Sequence, residues 1–447
     1  MISDMQLVII AGGKGTRLGN ISVPKPMVKV VGKPLLEYQI ELAKRYGLKD
    51  ILILVGYKSE QIIDYFGNGS KWGVNISYSI EEKPLGTAGS LKSVEQILND
   101  RFLVFYGDTM MDINLLKLVE FDGSHSSLGT LLCHPNDHPH DSDIVEIDED
   151  SNEVILFHSK PHNESLYKPN LVNAALYILS KDILSYIEPD KKCDFGKDIF
   201  PKALAAGNKL IAYNTAEYIK DMGTPDRLEK VEVDFLSGKV KLLNNENKRK
   251  AIFIDRDGVI NKEVGNLRNA DEFKLMNNVP KAIGMINNSN YLAIVITNQP
   301  VVAKGWCSFQ ELNNIHNKMQ TELGYKNVFL DRIYYCPHHP DRGFDGEIEE
   351  LKIDCNCRKP KLGLIEKAVS DYNIELDGSF FIGDTTTDIK TANNAGITSV
   401  LVKTGYAGKD LKFKVKPTYI CNDLLSAVEK IFELEQKQKN EMMESVN

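Results

Sequence analysis

The sequence predicts an α/β protein built as two domains, and three observations predict it. Short β-rich apolar runs recur along the chain with helical patterns between them: QLVII (6–10), ILILVG (51–56), RFLVFYG (101–107), AIFID (251–255), LAIVITN (292–298) and SFFIGD (379–384). Two of these runs open directly into glycine-containing loops, AGGKG after the first and DRDG after the fourth. Between those two loops stands a polar, basic stretch, LSGKVKLLNNENKRK (236–250). Continuous apolar strands are buried on both faces, as in parallel sheets covered by helices. A chain of 447 residues also exceeds one ordinary core. The expected division is a first domain at 1–235, a linker at 236–250, a second domain at 251–435 and a flexible polar tail at 436–447.

Composition narrows the classes of function. The net charge is -8, with 42% apolar and 26% charged residues. A nucleic-acid binder acting through bulk electrostatics needs basic surface to displace counterions, so that class is disfavoured. Small phosphorylated ligands, which need only local positive charge, are not. No apolar run reaches the roughly 18 residues of a membrane span. The opening MISDMQLVIIAGGKG has no basic lead and reads as a strand entering a loop, not as a signal peptide. Seven cysteines is an odd count, and three crowd between Cys336 and Cys357. That points to a metal site in a reducing compartment, hence a cytoplasmic protein with neither nucleic acid nor membrane as partner.

In the first loop, Gly12, Gly13 and Gly15 let backbone N–H groups approach a polyphosphate, with Thr16 beside them. The Walker pattern and GxGxxG are both absent. Arg17 and Lys25 supply cations just beyond the loop, as phosphoryl and nucleotidyl transfer require. A bare glycine turn would read as an ordinary loop; the features that follow argue otherwise. Asp108, in VFYGDT, sits at the C-terminal end of a strand, where open α/β sheets bind ligands. Asp221, in YIKDMGTPDRL, is a second carboxylate. Together they are candidate ligands for a Mg²⁺ that neutralises a triphosphate.

These residues resemble the sugar-1-phosphate nucleotidyltransferase family, whose opening signature appears as GGKGTRL, PKP (24–26) and GKP (32–34). The resemblance runs from residue 5 to about 235. It implies a Rossmann-like domain with a mostly parallel mixed sheet. It also implies nucleotide contacts at Gly86, Thr87, Ala88 and Gly89, metal ligation by Asp108 and Asp221, and sugar contacts at Asn173 and Lys160. The family's usual EKP reads Ser159-Lys160-Pro161, so the Glu that often holds a sugar hydroxyl is missing. The implied reaction is direct displacement at the α-phosphorus of an NTP, with no protein nucleophile.

In the second half, Asp255 and Asp257 stand at a strand end at i and i+2. Asp255 would attack phosphorus while Asp257 protonates the leaving oxygen and later activates water. A DxD alone is a weak signal. Thr297, with Asn298 and Gln299 following it, ends a second strand; Arg358 and Lys359 offer phosphate-binding cations; Asp384 and Asp388 end a third strand with more acid. This ordered set resembles the haloacid dehalogenase (HAD) superfamily, within it the heptose bisphosphate phosphatases and their histidinol-phosphatase relatives. The resemblance implies a HAD-like Rossmannoid domain and Mg²⁺ held by Asp255, Asp257 and Asp384. It further implies substrate contacts at Glu263, Asn266, Asn298, Gln299 and Arg358, with Lys359 stabilising the phosphoryl group. The pairs Cys336-x-His338 and Cys355-x-Cys357 have the chemistry of a structural Zn²⁺ loop, with His339 as the alternative histidine. Two family segments depart: TNQPVVAKG (297–305) and GNLRN (265–269).

The whole chain resembles bifunctional heptose 1-phosphate guanylyltransferase/heptose bisphosphate phosphatase proteins. That resemblance implies GTP or another NTP and heptose phosphates as partners, with Mg²⁺ in both domains. Two other readings stand beside it. One keeps both activities on a hexose phosphate with a different NTP. The other makes the first domain a nucleotide-sugar sensor without turnover; the intact Arg17, Lys25, Asp108 and Asp221 argue against that.

Overall fold

The computed structural model describes residues 2–13, 15, 18–19, 22–163 and 166–446. They form two compact units. The first comprises Met1–His134, Asp141–His162 and Leu171–Glu246; the second comprises Pro135–His140, Asn163–Asn170 and Asn247–Asn447. Both are α/β, as the apolar runs predict.

In the first unit, β1 (Gln6–Ala11), β2 (Asp50–Val55), β3 (Asn75–Ile80) and β4 (Arg101–Tyr106) form a parallel core in the order β3-β2-β1-β4. After them come β5 (Thr109–Asp112), β6 (Gly129–His134), β7 (Ile144–Ile147), β8 (Val154–His158), β9 (Val172–Ser180), β10 (Leu210–Asn214) and β11 (Tyr218–Asp221). β9 runs antiparallel to β4 and β6, which makes the sheet mixed, while β5 and β11 pair as a separate antiparallel ribbon. β1 explains why its run has no polar alternation. Leu7 and Ile9 feed one core and Val8 feeds the core on the other face, and none of the three is exposed. Burying each such side chain stabilises the unit by about 1.5–3 kcal/mol.

The stretch 236–250, expected as a linker, is structured. It carries a helix at Lys239–Leu242, and Asn244 and Asn245 are buried. Asn244 donates to Tyr46 and Asp112, and the Asn245 N–H donates to Glu217 at 2.8 Å. The polar residues that look like linker are the ones making these hydrogen bonds.

In the second unit, β12 (Lys250–Ile254), β13 (Tyr291–Asn298), β14 (Arg332–Cys336), β15 (Phe380–Gly383), β16 (Thr398–Val402) and β17 (Tyr419–Cys421) form one parallel sheet in the order β14-β13-β12-β15-β16-β17. Strand order reverses between β12 and β15, which opens a crevice at their C-terminal ends. Ile252, Phe253 and Ile254 are fully buried at the sheet centre; Phe253→Ala would cost about 3–5 kcal/mol. A capping box, in which Ser308 and Glu311 bond each other's backbone, starts the helix Phe309–Gly324. Residues 436–446, expected in a flexible tail, instead continue the helix Leu424–Val446. Its first turns bury Leu424, Ala427, Val428 and Ile431, and the Glu, Lys, Gln and Met that follow propagate a helix already nucleated. No helix of the described residues is long and apolar enough to cross a membrane.

Candidate active sites

In the second unit, Asp255 follows β12 directly, and its N–H donates to the Ile382 carbonyl of β15 at 2.9 Å. Asp384 follows β15 and Thr297 lies near the end of β13. Three adjacent strand ends therefore deliver side chains to one crevice. Carboxylate oxygens of Asp255, Asp384 and Asp388 lie within 4.8 Å of one another. Lys359 stands among them, its Nζ 2.9 Å from Asp255 and 2.6 Å from Asp388. One cation cannot neutralise three buried carboxylates, so protons are retained. Burial and Asp388, opposed by Lys359, push Asp255 up to about 7. Burial, Asp255 and Asp388 push Asp384 up to about 8.

These residues fit a divalent cation. Asp384 Oδ1 is buried without a hydrogen-bond partner among the described residues. Its other oxygen accepts from the Tyr406 N–H at 2.6 Å. Gly258 and Gly405, both at positive φ, close the cradle; a Cβ at either would lie 2.4 or 2.1 Å from Asp384 Oδ2. An ion of +2 charge would remove the repulsion and satisfy the orphaned oxygen, and hard carboxylate donors suit Mg²⁺.

Asp257, expected among the metal ligands, is placed otherwise. Both its oxygens accept from Arg256 Nη2, at 2.9 and 2.8 Å, and they also accept from Asn261 and Gln299. Burial alone would raise its pKa, but Arg256, Gln299 and Asn261 hold it below the usual carboxylate range. Arg256 is itself fully buried and donates to His316 Nε2 at 3.1 Å. Burial and Arg256 depress His316 to about 3, so its ring is neutral and accepts. Arg256 and His316 were missed in the sequence. The one available signal was the apolar helical stripe Leu312, Ile315, Met319 and Leu323, into which His316 falls.

Asn298 and Gln299, expected to touch substrate, serve the site itself. Gln299 Nε2 donates to Asp257 and to Thr297 Oγ1 at 2.8 and 2.9 Å. Both polar groups of the Asn298 side chain are engaged with the Lys359 backbone. Asp388 also does two jobs. It caps the helix Thr386–Ala395 through Thr385, and it accepts from Lys359. Glu263 and Asn266 line a cavity of about 800 Å³ together with Lys262, Asn269 and Asp271.

Cys336, His338, Cys355 and Cys357 converge, with sulfur–sulfur separations of 3.2–3.5 Å and His338 Nδ1 3.2 Å from Cys357 Sγ. Tetrahedral Zn²⁺ with bonds of about 2.3 Å sets thiolates at a comparable spacing. Hydrogen bonding by Cys336, Cys355 and His338 pulls Cys357 down to about 5, while the same contact with Cys357 pushes Cys336 up, so metal binding would release the Cys336 proton. His339 lies outside this group, with its Nε2 3.8 Å from Asp341. Arg358 is tied to the loop through the His338 carbonyl at 3.1 Å.

In the first unit, Gly12 and Gly13 follow β1, and a Cβ at Gly12 would lie 2.6 Å from Glu81 Oε2. Thr16 and Arg17 lie outside the described residues; Gly15 is described, at positive φ. Lys25 is buried and pairs with Asp108 at 2.5 Å. The ribbon places Thr109 opposite Asp221, and the Met222 N–H donates to the Asp108 carbonyl at 3.0 Å. The two aspartates are therefore backbone neighbours despite their separation in sequence. Both are about one-third exposed, 35% and 33%. Both are hard oxygen donors of the kind Mg²⁺ takes, and both are engaged by cations here, Asp108 by Lys25 and Asp221 by Arg227.

Gly86 and Gly89 have a packing reason to be glycine: a Cβ at either would meet the backbone of Cys193 or Lys191 at 2.4 or 2.6 Å. Thr87 donates to Asp194, and Ala88 begins a buried stretch. Lys160 Nζ donates to the Asp141 carbonyl at 2.9 Å, while Ser159 Oγ donates to Gly196. Asn173 Nδ2 donates to the Tyr177 hydroxyl at 2.9 Å. Glu81, whose carboxyl burial pushes up, and Arg227, which clasps Asp221, were not singled out by the sequence.

The fold and the two sites define a two-unit α/β protein with an acidic, cation-bearing site at each sheet. The chain belongs to the nucleotidyl transferase family, whose model matches residues 6–238, and a HAD-hydrolase-like model matches 356–427. It is 33% identical over 262 residues to the mannose-1-phosphate guanylyltransferase catalytic subunit beta of Dictyostelium discoideum, a match covering 57% of this chain and 70% of that protein. It is 38% identical over 161 residues to the D-glycero-beta-D-manno-heptose-1,7-bisphosphate 7-phosphatase of Haemophilus ducreyi, covering 36% of this chain and 86% of that one. The UTP–glucose-1-phosphate uridylyltransferase of a Synechocystis species is 30% identical over 239 residues, half of this chain, and the chain spans 61% of that protein's length. The crystal structure of HddC from Yersinia pseudotuberculosis is similar at 31% identity and a TM-score of 0.45, covering 52% of this chain and 99% of that one.

Proposed function

We propose that the chain catalyses two consecutive steps. The second unit removes the 7-phosphate of D-glycero-D-manno-heptose 1,7-bisphosphate. The first unit transfers GMP from GTP to the resulting heptose 1-phosphate and releases pyrophosphate. The observation that carries the hydrolytic half is the convergence of Asp255 and Asp384, at adjacent strand ends, with Asp388 from a helix and Lys359 from a loop. The relative named for the heptose bisphosphate supports the sugar, and the relative named as a guanylyltransferase supports the nucleotide. A second reading, a hexose 1-phosphate with another NTP, is favoured by the uridylyltransferase relative and by Ser159 in place of Glu.

In the hydrolytic step, an Asp255 oxygen attacks phosphorus, and the bond from phosphorus to the sugar oxygen breaks. To give that oxygen a proton Asp257 must first take one up, because Arg256 holds it ionised in the free protein; it then takes one from the water that hydrolyses the aspartyl phosphate. Gln299 and Arg256 keep Asp257 aimed while Lys359 holds charge on the phosphoryl oxygens. Mg²⁺, held by Asp255 and Asp384, would supply further charge neutralisation, and Zn²⁺ on the cysteine loop would fix Arg358 and Lys359 in place. In the transfer step, a heptose 1-phosphate oxygen attacks the α-phosphorus and pyrophosphate leaves. Lys25 and Arg17 stabilise the developing charge, the 86–89 segment contacts the nucleotide, Lys160 and Asn173 hold the sugar phosphate, and Asp108 and Asp221 would hold the metal. None of the seven cysteines is in a disulfide, in keeping with a cytoplasmic location.

The test is direct: heptose 1-phosphate is offered with each NTP in turn and pyrophosphate is followed, and heptose 1,7-bisphosphate is offered while phosphate is followed. If none of the NTPs yields pyrophosphate, the transferase half falls; preference for UTP and a hexose would select the second reading.

A further inference from the structure

The second aspartate of the N-terminal pair is closed by a residue that belongs to no motif. Arg227 lies in the first turn of the helix Pro225–Leu236. Its Nη1 donates to both oxygens of Asp221, at 2.6 and 2.9 Å, and its Nη2 donates to Asp141 Oδ2 at 3.1 Å. The Arg227 side chain is 17% exposed. Lys160 is tethered to the same Asp141, through its carbonyl and, at 3.9 Å, its carboxylate.

This arrangement conflicts with metal ligation at Asp221. A carboxylate that accepts from a guanidinium with both oxygens has its strongest acceptor directions engaged. A hard divalent cation needs those same oxygens and repels a guanidinium a few ångströms away. Charge repulsion therefore favours the departure of Nη1 when the ion arrives. Nη2 remains anchored on Asp141, so the guanidinium stays beside the site with free N–H donors. A polyphosphate arriving with the metal is the anion that a planar, bidentate fork fits best.

We propose that Arg227 is a displaceable counter-ion. It covers Asp221 while the site is empty, yields Asp221 to the divalent ion, and moves its donors to a phosphate oxygen of the metal-bound nucleotide. The inference rests on the reading of Asp108 and Asp221 as the metal pair.

The two roles carry opposite signs, which makes them separable from simple structural support. The experiment uses the full chain carrying Asp384→Asn, so that the carboxylate group of the second unit loses a ligand, and reads Mn²⁺ binding by paramagnetic resonance. Adding Arg227→Gln is expected to tighten Mn²⁺ binding about fivefold without nucleotide, the equivalent of about 1 kcal/mol of lost competition. At saturating Mn²⁺ the same variant is expected to bind tripolyphosphate roughly tenfold less tightly. Arg227→Lys, a single-point cation, should fall between in both measurements. Weakening of both affinities, or an unchanged Mn²⁺ affinity in Arg227→Gln, overturns the proposal. If Asp221→Asn binds Mn²⁺ as well as its parent, the metal pair itself is wrong, and the proposal falls with it by a separately visible route.

Discussion

Asn298 and Lys359 hold one another by two hydrogen bonds: the Lys359 N–H donates to Asn298 Oδ1 at 3.0 Å, and Asn298 Nδ2 donates to the Lys359 carbonyl at 3.2 Å. Lys359 reaches Asp255 from a loop, and this reciprocal pair sets where that loop sits. Asn298→Ala would leave two backbone groups of Lys359 without partners, a penalty of about 1–3 kcal/mol. We expect phosphatase kcat to fall roughly ten- to a hundredfold with a smaller change in KM. Steady-state phosphate release alongside a melting curve checks it; a large rise in KM at constant kcat would make Asn298 a substrate contact instead.

Asp255→Asn should abolish phosphate release and leave nucleotidyl transfer in place. It should also stabilise the magnesium-free protein by about 1–2 kcal/mol, because it removes one of three clustered carboxylates while Lys359 keeps Asp388. Denaturant melts and the two activity assays read all three outcomes. Loss of both activities together would contradict the independence of the two sites.

The same carboxylates set a pH dependence. Unfolded, both aspartates titrate near 3.8; folded and metal-free, burial and neighbouring charge hold Asp255 at about 7 and Asp384 at about 8. Between those values the native state binds more protons than the unfolded chain, so stability falls as pH rises. Their contribution is fully present below about pH 4 and lost above about pH 8. Protein dialysed free of magnesium should therefore melt progressively lower from pH 5 to pH 8.5, and added Mg²⁺ should restore more at the upper end. A Mg²⁺ increment independent of pH would show that the ion does not displace these protons.

Cys355→Ser should release zinc and loosen the loop bearing Arg358 and Lys359, lowering phosphatase activity while nucleotidyl transfer persists. Metal analysis of the purified variant is decisive, since an unchanged zinc content would exclude Cys355 as a ligand.

Much of the fold was legible because β1, β2, β4, β12, β13 and β15 are continuous apolar runs, and burial on both faces demands that pattern. The acids at their ends were legible for a related reason: a charged residue directly after such a run must lie at the rim of the sheet. The polar roles inside each site were not. Asn298 and Gln299 look like substrate contacts in a motif, yet their partners are Lys359, Asp257 and Thr297. Arg256 looks like a spacer between two acids and turns out to be fully buried between Asp257 and His316.

The sequence by itself determined the α/β class, the strand ends that carry acid, and the cysteine-histidine loop, because hydrophobic burial and ligand chemistry are written in local residue order. Tertiary structure alone decided that Asp221 lies beside Asp108 through the β5–β11 register, that Arg227 closes it, and that His338 and not His339 joins the cysteines. Those are pairings between distant segments. A hydrogen bond or ion pair depends on angles and separations that the packed chain sets.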